Sequence, residues 1–110
     1  MNFEIKTLPR FEKEIKRLAK KYPSLKTDYF NLLEDLSKDP LSGIPLGNHC
    51  YKIRMAITSK GKGKSGGARV IYYLQVTDTT IYLLAIFDKS EKENMPDIEL
   101  LKLIRTIDPE

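Results

Sequence analysis

Residues 51–58, YKIRMAIT, and residues 68–76, ARVIYYLQV, decide the fold. Tyr51, Ile53, Met55 and Ile57 alternate with Lys52, Arg54, Ala56 and Thr58, which is the period of a half-buried strand. Ala68 to Val76 reads as a second strand and Thr80 to Phe87 as a third. Thr77-Asp78-Thr79 between them is short enough for a hairpin turn. A basic, glycine-rich loop from Ser59 to Gly67 joins the first two strands.

Upstream the period changes. Asn2 to Thr7 reads as a short strand, with Phe3 and Ile5 alternating against polar neighbours. Pro9 opens a helical pattern in which Leu8, Phe11, Ile15, Leu18 and Tyr22 recur at three- and four-residue spacing. Pro23 stops it, and Ser24 is placed to cap a second helix whose stripe is Leu25, Tyr29, Leu32, Leu33 and Leu36. Asp39-Pro40 ends that helix, and Pro40 to Asn48 reads as loop. Downstream, Asn94 is the expected cap of a last helix with Pro96 in its first turn and Ile98, Leu101 and Ile104 on one face. The order is strand, helical hairpin, three-strand antiparallel meander, C-terminal helix, an α+β domain spanning residues 1–110.

With 110 residues and 41% hydrophobic composition, the chain can bury one core. It is too short for a two-lobed kinase, a full dinucleotide-binding enzyme or a barrel. It carries a single cysteine, Cys50, and a single histidine, His49, with no metal-ligand spacing around them. A mechanism without metal or other cofactor is therefore expected. There is no apolar stretch of signal-peptide or membrane-spanning length, so a cytoplasmic protein without membrane contact is expected.

The net charge of +4 is unevenly spread. From Pro40 to Thr77 there is no Asp or Glu, while Lys52, Arg54, Lys60, Lys62, Lys64 and Arg69 give that stretch +6, leaving −2 elsewhere. Lys52 and Arg54, two apart in a strand, share the face opposite Tyr51 and Ile53. Arg69 opens the next strand, so pairing of the two strands brings three cations together, with mobile lysines 60, 62 and 64 at their edge. A charged strand is ordinarily a solvated sheet face. The absence of acids over this whole stretch points instead to a polyanion such as RNA or DNA. Tyr72, Tyr73 and Tyr82 would stack bases where exposed, and otherwise pack in the core.

The loop KGKGKSGG, residues 60–67, imitates nucleotide motifs without their context. Gly61, Gly63 and Gly66 satisfy GxGxxG, but no helix begins there. Gly63-Lys64-Ser65 resembles the end of a P-loop, but Thr58 stands where its first glycine belongs. The glycines are read as giving a long flexible hairpin whose lysines reach a phosphate backbone.

The run Cys50-Tyr51-Lys52-Ile53-Arg54, followed by Gly67-Ala68-Arg69-Val70-Ile71-Tyr72 and Leu84-Ala85-Ile86-Phe87-Asp88-Lys89-Ser90-Glu91, resembles the RelE/ParE toxin superfamily. The expanded loop is most similar to its HigB-type branch. The resemblance implies the toxin of a type II toxin–antitoxin pair, with a cognate antitoxin as partner. It implies a metal-independent endonuclease that enters the ribosomal A site and cuts mRNA, the 2′-hydroxyl attacking the adjacent phosphate to leave a cyclic phosphate. Lys52, Arg54 and Arg69 match the family's basic catalytic positions, and Lys89 a basic position after the last strand.

Arginines suit stabilisation of the dianionic transition state. Lys52 beside Arg54 is the candidate base. The family often has an arginine where this chain has Ser90, and a tyrosine missing from Asn94-Met95-Pro96. The general acid is thus open among His49, Lys89, Asp88, Glu91 and a group of the ribosome. Two other readings stay open: a ParE-like inhibitor of DNA gyrase, and a catalytically decayed RNA-binding member.

Overall fold

The computed structural model describes residues 3–92 and 94–107. Its elements are β1 (Glu4–Thr7), α1 (Pro9–Lys21), α2 (Leu25–Lys38), β2 (Ile44–Gly47), β3 (Cys50–Met55), β4 (Ala68–Gln75), β5 (Thr80–Asp88) and α3 (Asp97–Ile104). They form an α+β fold with one mixed sheet in the order β1-β5-β4-β3-β2. β1 lies parallel to β5, and the remaining neighbours are antiparallel. The parallel edge arises because α1 and α2 separate β1 from the meander.

The helical hairpin covers one face of the sheet. Phe11, Leu18, Leu25 and Leu36 pack there against Val70, Tyr72, Leu83 and Ile86. The opposite face buries Cys50, Ile71, Leu84, Ala85 and Phe87 against Met95 and Leu100. β4 is thus covered on both faces, which explains its nearly unbroken apolar run from Val70 to Leu74. The Tyr72 hydroxyl donates to the Pro40 carbonyl at 2.7 Å and accepts the Gly43 N–H at 3.1 Å. It thereby ties the segment after α2 to the sheet.

Several expectations are corrected. Part of the stretch read as loop, Ile44–Gly47, pairs with β3 as an edge strand. β3 stops at Met55 rather than Thr58, because the chain turns there into a 3-10 turn at Thr58–Lys60. Ser24 occupies the cap position of α2 but makes no cap bond; its hydroxyl donates to the Asp28 carboxylate instead. Pro96, not Asn94, stands at the cap of α3. On α3, Leu100 is the buried residue, with Leu103 and Ile104 beside it, whereas Ile98 is 68% exposed. Among the described residues no helix is long and apolar enough to cross a membrane.

Candidate functional site

β3 and β4 pair in unbroken register, with Lys52 opposite Ile71 and Arg54 opposite Arg69. Residues opposite each other share a face and stand ~4.5–5.5 Å apart at Cα. Two arginines so placed repel. The sheet tolerates the pair because their guanidinium groups part company. Arg54 is exposed, whereas Arg69 is only 3% exposed. Arg69 donates to the carbonyls of Lys64 (3.1 Å), Ser65 (3.2 Å) and Ala68 (3.2 Å), beneath the glycine-rich loop. Lys52 is half-buried, and its Nζ donates to Asn94 Oδ1 at 2.6 Å.

Sequence reasoning missed two further groups on this face. Asn94, expected as a helix cap, holds Lys52. Lys92 lies with its Nζ 5.5 Å from the centre of the Phe87 ring, and Phe87 is the β5 residue opposite Arg69. Lys92 also pairs with Glu99 at 3.6 Å. Its position after β5 in a charged run was visible, but the turn that carries it back over the sheet was not.

Lys52 and Arg54 line an open groove of about 910 Å³ between β3 and α2, together with Lys64 and Lys38. Its other wall carries Asp28, Asp35 and Asp39. Acidic and basic side chains thus both line the groove, with Lys38 standing on α2 beside the acids, while Lys52 and Arg54 share the sheet face of Ile71 and Arg69.

The loop itself is not a flexible hairpin. Its first root is clamped to the helical hairpin. Asp28 accepts the Thr58 N–H at 2.9 Å and the Thr58 hydroxyl at 2.5 Å, and Ser24 Oγ accepts the Ser59 N–H at 2.8 Å. Lys60, expected to be mobile, is bound to the fully buried Asp88 at 2.8 Å, its side chain only 12% exposed. Tyr22 and the Ser90 N–H also donate to Asp88. Burial raises the pKa of the Asp88 carboxyl, but the bonds from Lys60, Tyr22 and Ser90 outweigh it and hold the group far below the ordinary carboxylate range. Lys62 and Lys64 are exposed.

The remaining expected residues do not gather at the arginine pair. Asp88 is held ionised and buried on the other side of the sheet, and cannot donate a proton. Glu91 accepts a forked pair of bonds from Arg17 at 2.8 and 3.2 Å, which lowers its pKa. His49 sits at φ 62° in the turn before β3, its ring edge-on to Tyr73. Five residues of strand separate it from Arg54, about 16 Å at ~3.3 Å per residue. Lys89 lines a second cleft with Lys60 and Lys62 that shares no residue with the first. Tyr72 is wholly buried and stacked on Tyr51; Tyr73 and Tyr82 pack in the second core with part of each ring accessible. Cys50 is buried, and burial pushes its thiol up to about 12, so it holds no thiolate. Among the described residues no group of three His, Cys, Asp or Glu side chains could hold a metal ion.

A family model described as the RelE toxin of the RelE / RelB toxin–antitoxin system matches residues 11–107. The chain is similar to the solved structure of the E. coli toxin RelE in the free state, an alanine variant, with a TM-score of 0.65 at 16% identity. That match covers 97% of this chain and 99% of the other. The toxin–antitoxin complex RelBE2 of Mycobacterium tuberculosis gives a TM-score of 0.62 at 18% identity, covering 80% and 99%. The intact E. coli RelBE complex gives 0.56 at 18% identity, covering 78% and 95%.

Proposed function

As the chain belongs to the RelE toxin family, we propose that it is the toxin of a toxin–antitoxin pair and a ribosome-dependent, metal-independent mRNA endonuclease that stops translation. The observation that carries this reading is the exposed Arg54 set directly opposite the buried Arg69, with Lys52 two residues along the same face. Such a face suits internal phosphoryl transfer. The 2′-oxygen of the mRNA forms a bond to the adjacent phosphorus while the bond from phosphorus to the 5′-oxygen breaks. The products are a 2′,3′-cyclic phosphate and a 5′-hydroxyl.

Lys52 is the group placed to take the 2′-proton, and Asn94 fixes the direction of its Nζ. Arg54 reaches the phosphate and stabilises the two negative charges of the transition state through paired donors. Arg69 adds its fixed charge from below and holds the loop carbonyls in place. The leaving 5′-oxygen takes its proton from outside this set, because Asp88 and Glu91 are both held ionised. An incomplete acid–base set supports dependence on the ribosome, which aligns the mRNA for in-line attack. The solved toxin–antitoxin complexes of similar fold support a cognate antitoxin as partner. The test is induced expression in growing cells. Wild type should arrest translation and shorten mRNA lifetimes, Arg54→Ala should do neither, and DNA supercoiling should be unchanged by both. Arrest by Arg54→Ala equal to that of wild type would contradict the proposal.

A further inference from the structure

The cleft of about 360 Å³ lined by Lys60, Lys62, Ser65, Gly66, Lys89 and Ser90 lies across the loop from the Lys52–Arg54 groove. The loop forms the ridge between them: Lys64 lines the groove, whereas Lys62, Ser65 and Gly66 line the cleft. Its charge follows from its partners. Lys60 is neutralised by Asp88, which is fully buried behind it. Lys62 and Lys89 supply the positive charge and Ser65 a hydroxyl, while the Ser90 side chain is hydrogen-bonded to Asp88. The cleft is also built. The Lys62 side chain lies across Gly66, where an added Cβ would come within 2.5 Å of Lys62 Cβ. The Lys89 N–H donates to the Gly67 carbonyl at 3.0 Å, which fixes that backbone beside the loop.

We infer that this cleft is a phosphate subsite, in which Lys62 and Lys89 share one phosphodiester of the RNA strand whose scissile phosphate lies at Arg54. The inference rests on the nuclease reading for the identity of the strand, and it makes Lys89 an anchoring group rather than a catalytic one. Lysine heads act as point charges that suit a phosphate, and the Ser65 hydroxyl completes a polar lining without the apolar pockets that a peptide side chain would need. A strand crossing the loop ridge places phosphates on both sides of it.

The salt dependence of RNA binding tests this. Each phosphate neutralised on a single strand contributes ~0.7 to the slope of log K against log salt. Binding of a fluorescent ten-nucleotide single-stranded RNA is measured by anisotropy across a salt series. Lys62→Met, Lys89→Met and the double variant should each flatten the slope by no more than ~0.7, because one phosphate is shared. Gly66→Ala, which displaces Lys62, should behave like Lys62→Met, and Lys102→Met on α3 should leave the slope unchanged. Unchanged slopes in the Lys62 and Lys89 variants, a double-variant loss of ~1.4 from two independent contacts, or no RNA binding by wild type would overturn the inference. So would a glutamate-rich peptide whose binding, and not that of RNA, falls in those variants. Cleavage of ribosome-bound mRNA by wild type separates the two claims. Cleavage with unchanged slopes removes the subsite alone, and flattened slopes without cleavage remove the nuclease alone.

Discussion

Arg54 and Arg69 stand opposite each other on neighbouring strands, yet one guanidinium is in solvent and the other is sealed under a loop. The same residue type at two cross-strand positions therefore has two roles. Arg54→Ala should leave stability within ~0.5 kcal/mol of wild type, as exposed substitutions do. Arg69→Ala leaves the Lys64 and Ser65 carbonyls without their donor and should cost ~1–3 kcal/mol. Urea unfolding of the two variants checks this; equal stabilities would contradict it.

Acid stability should depend on Asp88. Its folded pKa is lowered, so its stabilising contribution is present above the unfolded value of ~3.9 and is lost as pH falls from there toward the folded value. Glu91 and Glu99, lowered by hydrogen bonds from Arg17 and Arg10, act in the same direction. Asp88→Ala leaves Lys60 buried without its charge partner and should destabilise by ~3–5 kcal/mol at neutral pH. Thermal unfolding between pH 2 and pH 7 should show a flatter acid limb for the variant than for wild type.

Gly67 packs where no side chain fits. A Cβ there would lie 2.2 Å from the Met55 carbonyl oxygen and 3.0 Å from Ala56 Cα, both backbone atoms that cannot rotate away. Gly67→Ala should lose ~1–3 kcal/mol by overpacking, read by urea unfolding. Gly61→Ala meets no atom and is strained only by its φ of 69°, so it should cost less.

Cys50 should be inert. It is buried with its thiol pushed up to about 12, so a thiol-specific reagent at neutral pH should label it only after unfolding. Cys50→Ala should keep full mRNA cleavage. Rapid labelling of the native protein would show that the strand it begins is open.

The central part of the architecture was legible. YKIRMAIT and ARVIYYLQV carry strand periods strong enough to give the hairpin, and that hairpin brings Lys52, Arg54 and Arg69 to one face. β2 escaped because Ile44-Pro45-Leu46-Gly47 is short and holds the two residues least suited to strands; it survives as an edge. The buried side of α3 escaped because Ile98, Leu100, Leu101, Leu103 and Ile104 make an eight-residue helix apolar almost all round, so that its period is ambiguous. The loop clamps were invisible because Asp28 and Asp88 reach them from 30 and 28 residues away. In the sequence Lys60 looks like Lys62; only the buried carboxylate behind it distinguishes them.

The claim on which the rest depends is that the Lys52–Arg54–Arg69 face cuts mRNA on the ribosome. Primer extension on an mRNA in a translating extract tests it, with wild type and Arg54→Ala compared. The account predicts new 5′ ends at A-site codons with wild type, none without ribosomes, and a loss of ~10²–10³-fold in cleavage rate for Arg54→Ala. Intact mRNA with wild type, or cleavage undiminished in Arg54→Ala, would contradict it.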